Sequence, residues 1–147
     1  FGCGPATWTI PLAAALGPTC LVTCVDADEI AIQAAWQRAV QSGLDLRIQP
    51  VHVMANFASL DNFLQDKYFD VVFSCDICRY LSYARQELWS APHEAFYRAN
   101  VGYWRRIRSH ISGSPNGVHV ISIEKPNLAR ALGAVMTRIG FQDVTAP

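Results

Sequence analysis

Apolar residues occur along this chain in short blocks that alternate between strand and helix periods. Leu21-Val22-Thr23-Cys24-Val25 is a nearly continuous apolar run of strand length ending on Asp26, the pattern of a strand buried on both faces in a parallel sheet. Beyond it Ile32, Ala35, Trp36, Ala39 and Val40 recur at helical spacing, with Asp28 placed to cap the start and Gly43 to supply the stop; this predicts a helix with those five residues toward the core. Ahead of the strand, residues 7–16 predict a short helix that tolerates Pro11 near its first turn and ends at Gly17-Pro18. Residues 47–53 predict an irregular strand broken by Pro50, and residues 60–64 a short helix or turn.

In the second half, Phe69-Asp70-Val71-Val72-Phe73-Ser74-Cys75 is the clearest strand, and residues 118–123 are another. A long helix between them, from about 91 to 111, is capped by Ser90 and holds Pro92 in its first turn. Phe96, Ala99, Tyr103 and Ile107 form its core-facing stripe, Tyr97 and Trp104 flank that stripe, and Arg98, Arg105, Arg106 and Arg108 form a solvated face. Residues 128–139 predict a last helix, stopped by Gly140, before 141–144 starts a strand.

This alternation implies an α/β fold with an open, doubly wound, mostly parallel sheet, whose ligands sit at the carboxyl ends of the strands near the switch point. A chain of 147 residues that is 51% hydrophobic and 16% charged fits one domain spanning residues 1–147. Phe1 reads as the last residue of a strand that begins upstream, so the chain is expected to be a fragment, truncated at both ends and poorly folded alone. No apolar run approaches the ~20 residues of a membrane span. The five cysteines are an odd number, three of them in or beside predicted elements, which suits reduced thiols and a cytoplasmic location.

The zero net charge hides an asymmetry. Residues 26–76 carry eight acids against three bases, whereas residues 79–108 carry six arginines against Glu87 and Glu94.

The chemistry concentrates at the start. Phe1-Gly2-Cys3-Gly4-Pro5-Ala6-Thr7 is a glycine-rich turn that brings backbone close to a ligand, and some twenty positions later Asp26 stands at the tip of the next strand, where a carboxylate accepts hydrogen bonds from both hydroxyls of a ribose. Together they describe a nucleoside site. A dinucleotide fingerprint wants Gly or Ala at the third position of G-x-G-x-x-G; Thr7 stands there, which weakens a pyrophosphate reading.

The turn, Val25-Asp26-Ala27-Asp28, the strand Phe69 through Cys75 and the late Gly140-Phe141, taken in that order, resemble the motifs of class I S-adenosylmethionine-dependent methyltransferases. The resemblance covers essentially the whole chain, from the end of the family's first strand to its sixth. It implies a Rossmann-like methyltransferase topology, S-adenosyl-L-methionine as cofactor, and a cofactor-binding set of Phe1, Gly2, Cys3, Gly4, Asp26, Ala27, Met54, Asn56, Ser74 and Cys75. Gly2 and Gly4 approach the methionine moiety and sugar, Asp26 takes the ribose, Asn56 meets the exocyclic amine of the adenine and Met54 or Phe57 its ring, and Ser74-Cys75 face the transferring methyl. Methyl transfer then rests on alignment of the sulfonium with its acceptor. A small molecule is the expected acceptor in preference to nucleic acid, and the basic segment after the fourth strand, with Arg79 and Arg85, points to an anionic one. Two alternatives remain open: an NAD(P)-dependent oxidoreductase, and a noncatalytic methyltransferase-like module.

Other residue types admit plainer readings. Cys75-Asp76-Ile77-Cys78 is formally C-x-x-C, but it has no second pair or suitably spaced histidine, so no metal site is expected. Cys75 lacks the preceding proline of the cytosine-methylating enzymes, and buried thiols are the default. Of His52, His93, His110 and His119, His93 in the first turn of the long helix is the candidate general base, set against an ordinary surface histidine.

Overall fold

The computed structural model describes residues 1–75, 101–111, 118–122, 133–134, 136–138, 140 and 142. The chain forms two compact units, Phe1–Met54 and Ala55–Pro147.

The first unit contains helix α1 (Thr9–Ala15), strand β1 (Val22–Asp26), helix α2 (Glu29–Gln41) and strand β2 (Ile48–His52). β1 and β2 pair in parallel, Val22 opposite Ile48 through Asp26 opposite His52. The crossover between them is helix α2, and both of its ends follow from particular residues. Asp28 Oδ1 accepts from the N–H groups of Ile30 and Ala31 at 2.9 and 3.3 Å, satisfying two donors that the first helical turn leaves without partners. At the other end Gly43 takes φ 66°, Leu44 N–H donates to the Ala39 carbonyl and Gly43 N–H to that of Val40. This paired return requires a left-handed residue, and glycine adopts that conformation at least cost. Ala13, Cys24, Ala39 and Ile48 form the buried centre, with Cys3, Ile10, Val22 and Leu44 packed around it.

Two expectations for this unit need correction. Pro50 does not break its strand: it sits inside β2 opposite Cys24. Val53 N–H donates to the Asp26 carbonyl, and alternation with period two then turns the Pro50 nitrogen away from β1, so the ladder loses no donor. Trp36 and Val40 are about half exposed, at 48% and 49%. The helix meets the strands through Ala35 and Ala39, both fully buried; such small side chains let it lie close, leaving the next residue on each turn at the margin. β1 itself is buried at Cys24 and Val25 but only partly at Val22 and Thr23.

The second unit contains helix α3 (Phe57–Leu64), strand β3 (Val71–Cys75), helix α4 (Val101–Ile111) and strand β4 (Val118–Ser122). β3 and β4 are parallel, Val71 opposite Val118 and Cys75 opposite Ser122. Asn56 caps α3, its Oδ1 accepting from Ser59 N–H at 2.8 Å. Helix α4 packs on α3, β3 and β4 and buries Tyr103, Trp104, Ile107 and Ile111. Trp104 is therefore core and not flank; its ring meets Tyr103 edge-to-face at 4.7 Å, an arrangement favoured by the aromatic quadrupole. The predicted residues 91–100 of this helix, with Ser90, Pro92, Phe96, Tyr97, Arg98 and Ala99, lie outside the described residues, as do most of the last helix and the strand after it.

Arg106 also departs from the solvated face predicted for it. Its guanidinium donates to Asp61 through Nε and Nη2 at 2.5 and 3.3 Å and lies over the Phe57 ring, 4.1 Å from the centroid. Gly102 allows this approach: a Cβ there would fall 2.9 Å from Phe57 Cζ. Gly102→Ala is accordingly expected to destabilise the protein by about 1 kcal/mol, since overpacking costs about 1–3 kcal/mol and the helix preference for alanine returns under about 1 kcal/mol. A lowered thermal midpoint checks this; a raised one shows that the ring yields freely.

The strands thus form two separate parallel pairs, β1–β2 and β3–β4, and not one continuous doubly wound sheet among the described residues. No helix among the described residues is long and apolar enough to cross a membrane.

Candidate functional site

The turn at residues 1–7 is built from backbone conformations that few residues adopt. Gly2 and Gly4 take φ 69° and 52°, and Ala6 takes φ 60°. For alanine that conformation costs roughly 1–2 kcal/mol. Ala6 is wholly buried, and its N–H and carbonyl bond to Cys3 and Ile10 respectively, which joins the turn to the start of α1. The N–H groups of Gly2 and Cys3 both donate to the Val25 carbonyl, at 2.8 and 3.1 Å. The turn therefore lies against the end of β1, where Asp26 follows.

Asp26 is fixed at both carboxylate oxygens. Gly4 N–H donates to Oδ2 at 2.7 Å and Asp28 N–H to Oδ1 at 3.0 Å. Such charge-assisted bonds are short and hold one rotamer, and a carboxylate with about four acceptor directions keeps further ones for a ligand. A Cβ built on Gly4 meets nothing within 4 Å, so its surroundings are open and glycine serves there for backbone conformation. Gly2, Cys3, Gly4, Asp26 and Ala27 are thus brought together at the carboxyl end of β1, as their sequence spacing predicts.

The Cys3 thiol lies below the turn. Its hydrogen bond with Cys24 and then its burial push its pKa well above the ordinary thiol range, and it bonds to the Gly4 carbonyl at 3.4 Å. Cys3 packs against the buried centre of Ala13, Cys24, Ala39 and Ile48.

Thr7, at the position where a dinucleotide fingerprint places its third small residue, receives a hydrogen bond from Arg38 Nη1 at 3.1 Å. This ties the start of α1 to α2 by a polar contact. Arg47 anchors the other end of α1, donating to the carbonyls of Ala13 and Cys20.

Phe1 is half-buried at the head of the turn, and Met54, two residues beyond β2, is 60% exposed. Asn56 and Ser74 belong to the second unit, Asn56 engaged as a helix cap and Ser74 wholly buried in β3. Cys75 closes β3 opposite Ser122. His93, Cys78, Arg79 and Arg85 lie outside the described residues. Among the described residues no group of three or more His, Cys, Asp and Glu is arranged to hold a metal ion.

Sequence reasoning missed two parts of the site. Ala6 gives no signal of its left-handed conformation, because alanine is not a turn-marking residue. His52, weighed only as a general base, places Nε2 3.0 Å from the Ala27 carbonyl, a contact set by strand register.

A family model described as Methyltransferase domain matches residues 1–96. No curated protein matches the chain closely enough to count as a relative. Because the family match takes in the glycine turn, Asp26 and all of β3, and extends well past half of the 147 residues, the chain belongs to the class I S-adenosylmethionine-dependent methyltransferase family.

Proposed function

We propose that this methyltransferase takes S-adenosylmethionine as its methyl donor, with the nucleoside end held by Gly2, Gly4, Asp26 and Ala27, in a single domain spanning residues 1–147. The observation that carries this reading is the occupancy of the turn by a carboxylate: Asp26 Oδ2 accepts the Gly4 N–H at 2.7 Å. In a dinucleotide site the amides of a glycine turn and the following helix N-terminus face a pyrophosphate. Here one of those amides already holds a fixed negative charge, which opposes a phosphate and favours a ligand that offers hydroxyl donors. A ribose bound without phosphates meets that requirement; NAD(P) does not.

S-adenosylmethionine supplies an activated methyl group on a sulfonium. The chain's own part is to bind and align. Asp26, immobilised by two backbone N–H groups, takes the ribose hydroxyls without having to reorganise, and the open space beside Gly4 admits the ligand next to the backbone. Alignment of this kind supplies up to about 7–11 kcal/mol of a bimolecular barrier. The acceptor is of the small-molecule, anionic class to which the arginine-rich segment 79–108 points.

Photolabelling with methyl-tritiated S-adenosylmethionine tests the assignment. Label is expected in a peptide containing residues 1–7 or 26–28, abolished by excess S-adenosylhomocysteine and retained in excess NAD. Labelling that NAD suppresses equally well contradicts it.

A further inference from the structure

The peptide group between Ala27 and Asp28 is held at both edges, and one of the holders is a side chain that the reading above does not use. Its N–H, on Asp28, donates to Asp26 Oδ1 at 3.0 Å. Its carbonyl, on Ala27, lies 3.0 Å from His52 Nε2. A carbonyl only accepts, so Nε2 carries the proton in this contact. Strand register brings the histidine there: Asp26 and His52 are partners in the parallel β1–β2 ladder, leaving neighbouring strands about 4.8 Å apart on the same face. Val53 N–H, one residue on, bonds the Asp26 carbonyl at 2.9 Å and fixes that register at the strand end.

A planar peptide turns as one body. Rotation that carried the Ala27 carbonyl off His52 would also carry the Asp28 N–H off Asp26. We infer that His52 is a positioning residue for nucleoside binding, holding the Ala27–Asp28 peptide in the orientation that keeps the Asp26 carboxylate aimed. The inference rests on the reading of Asp26 as the ribose ligand. It assigns His52 no contact with the methyl group and no proton transfer.

Calorimetric titration of wild type, His52→Leu, His52→Gln and Asp26→Ala with S-adenosylhomocysteine and with 5′-methylthioadenosine, which lacks the amino-acid end, tests it. His52→Leu is expected to weaken both ligands by the same factor, roughly 3–10-fold, the loss of one hydrogen bond's net worth. His52→Gln returns an N–H donor to the carbonyl and is expected to stay within about 2-fold of wild type. This rescue separates positioning from general loss of structure. Wild-type affinity in His52→Leu, or equal weakness in His52→Gln and His52→Leu, overturns the inference; if Asp26→Ala still loses affinity in that case, the nucleoside reading survives without it. A wild-type protein that binds neither ligand removes both.

Discussion

Asp26→Ala is expected to lower affinity for S-adenosylhomocysteine by about 1.5–3 kcal/mol, roughly 10–150-fold, the range for losing hydrogen bonds to a charged group. The substitution removes the group proposed for the ribose and also leaves the Gly4 and Asp28 N–H groups without their acceptor. Asp26→Asn is expected to behave nearly as badly. Both carboxylate oxygens accept from backbone N–H groups, and an amide offers only one oxygen, so its NH2 must face a backbone donor. Titration calorimetry with S-adenosylhomocysteine reads both variants, and full affinity in Asp26→Asn would show that the two backbone bonds do not fix the carboxylate.

Trp104→Ala costs about 3–5 kcal/mol of folding stability, the loss for deleting a large buried aromatic. The indole is fully buried on α4 with its edge-to-face partner Tyr103 at 4.7 Å, and one such deletion consumes much of a stability margin of about 5–15 kcal/mol. Urea denaturation measures it as a fall in midpoint; a change under about 1 kcal/mol would contradict the burial of Trp104.

How much of this was legible in the sequence depended on whether the signal was local. Asp28 and Gly43 announced the ends of α2 because capping needs a particular side chain or a particular φ within a few residues. Gly2, Gly4 and Asp26 announced through their types and spacing that the turn and the end of β1 belong together, although the bond that joins them, Gly4 N–H to Asp26 Oδ2, spans 22 residues. Pro50 misled, since the cost of a missing N–H depends on which edge of the strand the nitrogen faces, and only the register with β1 decides that. Trp36, Val40 and Trp104 misled for a related reason. Helical periodicity defines an apolar arc, but neighbouring elements choose which part of it is covered: two alanines sufficed on α2, while α4, packed by α3, β3 and β4, buried Trp104, which the pattern placed at its margin. Ala6 and His52 were hidden because one contributes only a backbone conformation and the other a cross-strand contact.

The central claim, that the glycine turn and Asp26 form a nucleoside site without a pyrophosphate subsite, is tested most directly by titrating the protein in one calorimetric series with S-adenosylhomocysteine and with NAD. The account predicts saturable binding of S-adenosylhomocysteine that Asp26→Ala weakens at least about 10-fold, and no saturable binding of NAD. Tight binding of NAD, with S-adenosylhomocysteine failing to compete, would contradict it.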